Sequence, residues 1–418
     1  MKKIVSSILA LTLTTGALVL PVAENGININ VGITASADID NIKTTDEAGN
    51  KYTYKFNDDD KTFYLDDFEG KGKVTVPSTI DGYKVTAIGY SAFNGNKDIT
   101  SIIIENGIQE IGTSAFWECT NLRSIKLPST LKSIGTVAFY HCTKLDNVII
   151  PEGVVTIPTD VFDSCKSLRN IKLPSTLKSI EFDAFRNCTA LKTINLPNSI
   201  TNIGEYTFEG CTALSRISIP KNVKKIEKFL FFGCKNLSSV TIPNGVKTIE
   251  NLAFYDCSSL KSITVPKSVT SIGDAAIGYN KIGWGGLDKI TNFVIKGTKG
   301  SAAQTYAKDK GFIFKDVNAK SVAKPTKQTI TKVAGVKKGV KVYYKKNTKA
   351  SGYKIQVCSN SKFRGAKTVV VKSNKTYAKT ITGLKSKRKY YVRVLSYKKS
   401  GSTIAYGSWS TVKAVVAK

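Results

Sequence analysis

The sequence is poor in the side chains on which most catalytic and metal sites are built. It has a single histidine, His141. It shows no phosphate-binding loop, no nucleophile beside a base and no separated carboxylate pair. The acidic run Asp58–Asp60 has the composition of an ordinary polar turn, and the cysteines lack the paired spacing of a zinc site. We therefore predict a protein that is not an enzyme, with no metal site and no cofactor.

Acidic residues are absent from the last quarter of the chain. Residues 317–418 contain 26 lysines and arginines and no aspartate or glutamate, which leaves 36 basic and 31 acidic residues in the rest of the 418-residue sequence. At this length two or more structural units are expected. The charge distribution predicts a nearly neutral unit followed by a strongly basic one.

Long apolar runs are also absent, except near the start. Lys2 and Lys3 precede an apolar stretch from Ile4 to Val22, and small residues follow at Ala35-Ser36-Ala37. This pattern predicts a secretory signal over residues 1–37, cleaved before Asp38. The alternative, an uncleaved membrane anchor, is disfavoured by Gly16 and Pro21 inside the run. We expect no transmembrane span after signal removal.

What the sequence does contain is a 23-residue repeat. Isoleucine and phenylalanine each recur at this interval, at Ile88, Ile111, Ile134, Ile157, Ile180, Ile203, Ile226, Ile249 and Ile272, and at Phe93, Phe116, Phe139, Phe162, Phe185, Phe208, Phe231 and Phe254. Such a period marks a solenoid, in which each coil buries its apolar face only against its neighbours. This shape offers a long open surface, which favours binding over catalysis.

Each coil has a recognisable order. Leu122, Ile125 and Leu127 have the L-x-x-I-x-L spacing of a leucine-rich-repeat strand, and Pro128 ends that strand. The ends of a solenoid need caps. A hairpin with its turn at Asp58–Asp60 is predicted within an N-terminal cap at residues 38–73. A short helix from Ser301 with Gly311 at its end is predicted as the C-terminal cap.

Seven of the eight cysteines follow the same period, at Cys119, Cys142, Cys165, Cys188, Cys211, Cys234 and Cys257. Asparagine occupies this position one period earlier, at Asn96, and one period later, at Asn280. A position that accepts Asn or Cys is predicted to hydrogen-bond inside the coil, so we expect buried, reduced thiols instead of disulfides. Cys358 lies outside the array. It could be free or paired with another chain, and a small residue at a strand end is the favoured interpretation.

The repeat resembles the BspA-like (treponemal-type) leucine-rich repeats of bacterial surface proteins. The motif I-x-x-I-G-x-x-A-F-x-x-C-x-x-L-x-x-I-x-L-P carries the resemblance, with small variations, from about Val74 to Asn280. Phe is replaced by Ile277, and residues 279–290 break the pattern. The resemblance implies a secreted, surface-associated bacterial protein with a protein-binding or adhesive role. It predicts a β-rich leucine-rich-repeat solenoid at residues 74–316, with a parallel sheet on its concave face.

Residues 326–418, after a linker at 317–325, alternate apolar and polar side chains in about seven short segments, which predicts a small all-β sandwich. GLKSKRKYYVRVLSY resembles strand F of fibronectin type III domains, with Leu384 and Tyr390 at their usual spacing, and ASGYKIQV resembles strand C. The family's usual strand B tryptophan is absent, and Tyr344 is the predicted replacement.

Two surfaces are candidates for binding. On the concave face, exposed isoleucines are unexpected, so we predict that a protein partner contacts Ile103, Lys126, Ile149, Lys172 and Asn195. The basic domain destabilises itself by charge repulsion, which suggests a nearby polyanion such as an anionic cell-wall polymer or acidic glycan. The candidate contacts are Lys345, Lys346, Lys387, Arg388, Lys389 and Arg393. Solubility by charge is the alternative, and nucleic acid is disfavoured because no recognised module is present.

These features lead to one functional hypothesis and two alternatives. The leading hypothesis is a secreted or cell-surface adhesion protein, in which the solenoid contacts a protein and the basic domain holds an anionic matrix. The alternatives are a structural or spacer protein of the envelope without a specific ligand, and an accessory polysaccharide-binding protein.

Overall fold

The computed structural model describes residues 41–283, 286–319, 322–401 and 403–418, so the predicted signal at residues 1–37 lies outside the described residues. The contacts divide the chain into a first unit that ends at Val317 and a second unit that begins at Asn318. Each unit is described here by itself.

The first unit is built of short strands and one described helix. In chain order they are β1 Asn41–Thr45, β2 Lys51–Asn57, β3 Thr62–Glu69, β4 Gly72–Val76, β5 Thr79–Ile80, β6 Tyr83–Ile88, β7 Ile99–Ile104, β8 Glu110–Ile111, β9 Ser124–Lys126, β10 Ser133–Ile134, β11 Asn147–Ile149, β12 Thr156–Ile157, β13 Asn170–Lys172, β14 Ser179–Ile180, β15 Asn202–Ile203, β16 Arg216–Ser218, β17 Lys225–Ile226, β18 Ser239–Thr241, β19 Thr248–Ile249, β20 Ser262–Thr264, β21 Ser271–Ile272, β22 Tyr279–Ile282, β23 Gly286–Lys289, β24 Val294–Gly297, α1 Ala302–Asp309 and β25 Ile313–Asp316.

Successive coils pair in parallel on two sides of the solenoid. On the strand side, β4, β7, β9, β11 and β13 form one sheet, which continues after an interruption as the pair β16–β18 and the group β20, β24 and β25. On the return side, β6, β8 and β10, then β12, β14 and β15, then β17, β19 and β21 pair through the repeated isoleucines. The predicted solenoid and its 23-residue register are confirmed.

The repeated phenylalanines form a continuous stack inside the solenoid. From Phe93 to Phe254 each ring lies nearly parallel to the next, with centroids between 4.8 Å and 5.7 Å apart. All eight side chains are fully buried. Since each ring covers a face of its neighbour, removal of one coil would expose two aromatic faces to water.

The backbone around each phenylalanine is bonded to the next coil as well. The Phe93 amide donates to the carbonyl of Ala115 at 2.8 Å, and the same bond recurs in each coil up to the Phe254 amide, which donates to Ala276 at 2.9 Å. The wall is therefore hydrogen-bonded between coils although it consists of turns and not strands.

The repeated cysteines complete this wall. Each thiol donates to the carbonyl of the phenylalanine 26 residues before it, at 3.1–3.2 Å, as Cys142 does to Phe116. Asn96 makes the equivalent bond, from its side-chain amide to the carbonyl of Gly70. Asn280 does not, because it lies in the β22–β23 hairpin that interrupts the repeat. The seven repeat cysteines are free and buried, as predicted, and Cys358, for which pairing was left open, is also buried.

Different elements lie at the two ends of the array. Strands β1, β2 and β3 are antiparallel, with the turn at Asp58–Asp60 between β2 and β3, and β3 pairs in parallel with β6 of the first coils. At the other end α1 follows Ser301 and is succeeded by Gly311, whose φ of +71° suits glycine. The side chain of Ser301 makes no capping hydrogen bond. The helix is held to the solenoid by the hydroxyl of Tyr306, which hydrogen-bonds to the backbone of Ile277.

The second unit consists of strands in two sheets. They are β26 Ile330–Val336, β27 Gly339–Tyr344, β28 Gly352–Cys358, β29 Lys367–Val371, β30 Ala378–Thr382, β31 Lys389–Ser400, β32 Thr403–Tyr406 and β33 Lys413–Val416. The order β26–β27–β30 makes one sheet, and β29–β28–β31–β32 makes the other, with β33 also paired to β31. A single core lies between the two sheets, as expected for an all-β sandwich.

Two tyrosines organise this sandwich. Tyr344, the predicted replacement for the strand B tryptophan, is buried against Tyr353, and the centroids of the two rings are 4.5 Å apart. The hydroxyl of Tyr390, at the start of β31, accepts a hydrogen bond from the Lys385 amide at 2.9 Å. This bond back to the preceding turn is the tyrosine corner of immunoglobulin-like sandwiches.

The thiol array leads to a labelling prediction. In a Cys358→Ser background the seven repeat cysteines should not react with a thiol reagent at pH 8 in the folded protein, because burial raises the pKa of these thiols and the stack excludes the reagent. All seven should react after denaturation without a reductant.

The control for this measurement is Asn198→Cys, a thiol on an exposed turn of the same array, which should react at once. Fewer than seven thiols after denaturation would mean that disulfides link the coils, and rapid labelling of the folded protein would contradict the buried array.

Candidate functional site

Four predicted contact residues lie side by side on the outer face of the strand sheet. β7 and β9 place Ile103 beside Lys126, and β11 and β13 place Ile149 beside Lys172. The pairing of Asn147 with Ser124 joins the two halves in register. We call these four residues the Ile–Lys ridge. Adjacent strands are about 4.8 Å apart, so the ridge is about 14 Å long.

The ridge is apolar where a solvated sheet would be polar. Ile103 is 43% exposed and Ile149 is 65% exposed, although both residues on either side of each isoleucine point into the core. The residues two positions earlier in each strand lie on the same face and are polar, and their side chains hydrogen-bond to one another. Ser124 donates to Ser101 at 2.9 Å, and Asn170 donates to Asn147 at 2.8 Å. The ridge is therefore the part of this face with uncompensated apolar surface.

Asn195, the fifth predicted contact, lies beyond the end of this sheet. It is exposed, since Ile194 and Leu196 on either side of it are buried, but residues 191–197 form no strand. The sheet is interrupted between β13 and β16 at this coil. The structure thus brings together the first four residues of the predicted surface and leaves Asn195 outside the paired strands.

The predicted polyanion contacts do not form a single patch. Lys345 and Lys346 follow the end of β27. Lys387 and Arg388 lie in the turn that packs beside Lys338, and Lys338 directly precedes the start of β27. A six-residue strand is about 20 Å long, so the two groups occupy opposite ends of the sandwich. All of them, and Lys389 at the start of β31, are exposed.

Arg393 differs from the other predicted contacts. Its guanidinium lies between two aromatic rings, 4.1 Å from the centroid of Phe363 and 4.4 Å from that of Trp409. Its Nε also donates to Gln356 at 2.8 Å. These contacts hold the side chain against the sheet, which favours a structural role.

A further cluster of charge lies on the wall of the solenoid. Arg186 has three carboxylates around its guanidinium, from Asp163, Asp183 and Glu209, at 3.5–3.9 Å. Burial is the main reason that the pKa of Asp183 is raised to about 7, with Arg186 opposing the shift. Asp163, Arg186 and Glu209 are 23 residues apart, so reading the repeat in columns would have found them.

In the described part of the chain, no group of three His, Cys, Asp or Glu side chains is placed to hold a metal ion. His141 has a φ of +59° at a turn position repeated by Glu118 and Ser164, and its ring stacks on Tyr140. Among the same residues, no helix is long and apolar enough to cross a membrane.

A groove on the second unit was not predicted from the sequence. It lies on the sheet formed by β29, β28, β31 and β32, and its lining includes Lys354, Lys372, Lys399, Tyr397 and Tyr406. These residues are far apart in sequence and meet only through the antiparallel pairing of the strands. The only sequence signal would have been the outward position of Lys354 in the alternating β28 segment.

These observations define a class of protein: a leucine-rich-repeat solenoid without a described catalytic centre. Residues 86–203 and 155–283 match the family described as BspA type leucine rich repeat region, in six copies. The solenoid is therefore a leucine-rich-repeat region of the BspA type. Regions of this type are typical of non-enzymatic bacterial proteins that are secreted or lie at the cell surface.

Solved structures similar to the chain include leucine-rich-repeat proteins. The leucine-rich repeat protein TpLRR of T. pallidum is 27% identical over 53% of this chain and 83% of its own, with a TM-score of 0.35. A leucine rich cell surface protein from Faecalibacterium prausnitzii is 23% identical over 56% and 95%, with a TM-score of 0.35. The FN1–FN3 domains of chicken CNTN1 are 24% identical over 22% and 31%, with a TM-score of 0.20. A comparison with curated proteins found no match.

The wall cluster leads to a prediction about pH. Because the pKa of Asp183 rises from an ordinary 3.8 to about 7 on folding, the folded protein binds more protons than the unfolded chain between these values. Stability should fall as the pH rises through this window. Burial raises the pKa of Asp160 and Glu209 in the same direction.

Asp183→Asn removes the largest of these shifts and keeps a side chain that tolerates the positive φ at this position. The melting temperature of the variant should decrease less between pH 5 and pH 8 than that of the wild type, as measured by circular dichroism. An unchanged pH dependence would contradict this account of the cluster.

Proposed function

We propose that this protein is a secreted, non-enzymatic adhesion protein of the bacterial cell surface. Its Ile–Lys ridge contacts an extracellular protein partner, and its basic second unit retains it on an anionic wall polymer or acidic glycan. The observation that carries the proposal is the ridge itself: two exposed isoleucines and two lysines at one register of four adjacent strands.

The composition of the ridge supports a protein partner. Exposed isoleucine on a rigid sheet can be buried by a partner without a change in the solenoid, so little ordering entropy is lost on binding. The alternating lysines fit a surface that carries carboxylates between apolar residues. A covalent reaction would need groups that the ridge does not contain.

The charge of the second unit supports retention on a polyanion. The sequence after Asp316 contains no aspartate or glutamate, so no acidic side chain of this unit neutralises its basic residues. Such a unit repels itself, and an anionic polymer relieves the repulsion when it binds. A spacer protein without a specific ligand would not require the ridge. A binding experiment therefore distinguishes the adhesion hypothesis from the spacer hypothesis.

Replacement of both ridge isoleucines tests the protein-binding role. The full chain with Ile103→Ser and Ile149→Ser should capture its partner from host or neighbouring-cell extracts at least about tenfold less well than the wild type, because burial of each isoleucine contributes about 1–3 kcal/mol. The melting temperature should change little, since both side chains lie on the surface, 43% and 65% exposed.

A matched control is available in Val155→Ser with Ile282→Ser, which removes two exposed apolar side chains from other parts of the same unit. Capture should be unaffected in the control. Equal capture by the wild type and the ridge variant would remove the ridge from the proposal and favour the spacer alternative.

Salt tests the retention role separately. Binding of the full chain to isolated bacterial walls rich in teichoic acid should weaken strongly between 50 mM and 500 mM NaCl, because contacts between exposed charges are screened. A pull-down assay with washed walls measures this. Retention that survives molar salt would contradict electrostatic attachment.

A further inference from the structure

The groove on the second unit lies next to a glycine. Gly352, at the start of β28, pairs with Tyr397 of β31. A Cβ atom at Gly352 would clash with the backbone carbonyl of Val371 in the neighbouring strand and would lie 2.7 Å from the hydroxyl of Tyr397. The close pairing of the strands at this point therefore requires glycine. The groove has a volume of about 480 Å³ and lies open to solvent. It is large enough to hold one or two sugar-sized groups.

Three lysines line the groove. Lys354 comes from β28, Lys372 follows β29 and Lys399 lies near the end of β31, so three different strands position them. No aspartate or glutamate occurs in the sequence after Asp316, so the unit offers these lysines no side-chain carboxylate of its own. The charges of these three lysines can therefore be neutralised at fixed positions only by a ligand that carries a negative group.

The groove also has aromatic and aliphatic lining residues. Tyr406 is 47% exposed, and the Nζ of Lys354 lies 5.6 Å from the centroid of its ring. Ile404 and Val370 line the groove beside it and are also exposed. Ser351 supplies a hydroxyl that accepts a hydrogen bond from the Lys399 amide at 3.0 Å and retains its own proton to donate. The groove thus combines positive charge, one aromatic platform and a hydroxyl.

We propose that this groove binds an acidic saccharide unit, with its carboxylate or phosphate among Lys354, Lys372 and Lys399 and the C–H face of its ring against Tyr406. The inference rests on the retention role proposed above and names the site and ligand class for it. The exposed ends of the sandwich contribute long-range attraction, and the groove recognises the sugar.

A saccharide fits better than a nucleic acid. Sequence-independent binding of single strands uses several aromatic platforms on which successive bases stack. The groove offers one exposed ring with aliphatic neighbours, which suits the alternating C–H and hydroxyl groups of a sugar. A ligand with charge alone, such as inorganic phosphate, would leave the exposed Ile404 and Val370 of the groove uncovered.

Binding of tetragalacturonate to the full chain, measured by calorimetry in 50 mM NaCl, tests the proposal. The variant Lys354→Gln, Lys372→Gln, Lys399→Gln should bind at least about tenfold more weakly than the wild type, since three ion pairs with the ligand are lost together. Tyr406→Ala should weaken binding about fivefold, because only the ring contact is lost.

The control is Lys387→Gln, Arg388→Gln, Lys389→Gln, which removes the same charge about 30 Å away along β31. It should reduce tetragalacturonate binding less than threefold. Polyglutamate, which has charge but no sugar ring, should bind equally well to the wild type and to Tyr406→Ala. A single-stranded oligonucleotide should bind more weakly than the saccharide.

The outcomes separate the two proposals. Equal losses in the two triple variants, or no effect of Tyr406→Ala, would overturn the saccharide groove and leave retention by net charge intact. Tighter binding of the oligonucleotide would overturn the assignment of ligand class. If neither tetragalacturonate, polyglutamate nor teichoic-acid-rich walls bind the wild type, the proposed retention itself fails.

Discussion

The structure depends on hydrogen bonds that a coil can make only with its neighbour. At each repeated phenylalanine the amide donates to the following coil, and from Phe93 to Phe231 the carbonyl accepts from a cysteine thiol of that coil. An isolated coil would lose these bonds and would expose its phenylalanine ring to water. Stacking therefore satisfies the backbone and buries the rings at the same time, and the β1–β3 strands and α1 are needed where it ends.

This constraint leaves the outer face of the strand sheet free to vary. The core positions of each coil are fixed by stacking, but side chains such as Ile103 and Lys126 lie outside the core. The same separation holds in the second unit, where Tyr344 and Tyr390 define the sandwich and the lysines lie outside its core. Both proposed binding surfaces use positions that the fold does not need, which is why they can differ among proteins with one scaffold.

The sequence predicted those features that depend on the repeat alone. The Phe and Cys columns, the free thiols and the position of the ridge follow from the 23-residue period, because stacking turns a sequence interval into a contact. The groove of Lys354, Lys372 and Lys399 could not be predicted in this way, since it depends on the pairing of distant strands. The aromatic contacts of Arg393 could not be predicted either, because its two partners, Phe363 and Trp409, come from separate segments.

The most direct test of the stacked wall is native-state hydrogen exchange at the phenylalanine amides. If these amides bond between coils, those of Phe139, Phe162 and Phe185 in the middle of the array should be among the slowest in the protein and should exchange together, in one cooperative opening. Exchange of these amides as fast as that of exposed turn residues would show that the coils are not joined through this wall, and the account of the fold would be wrong.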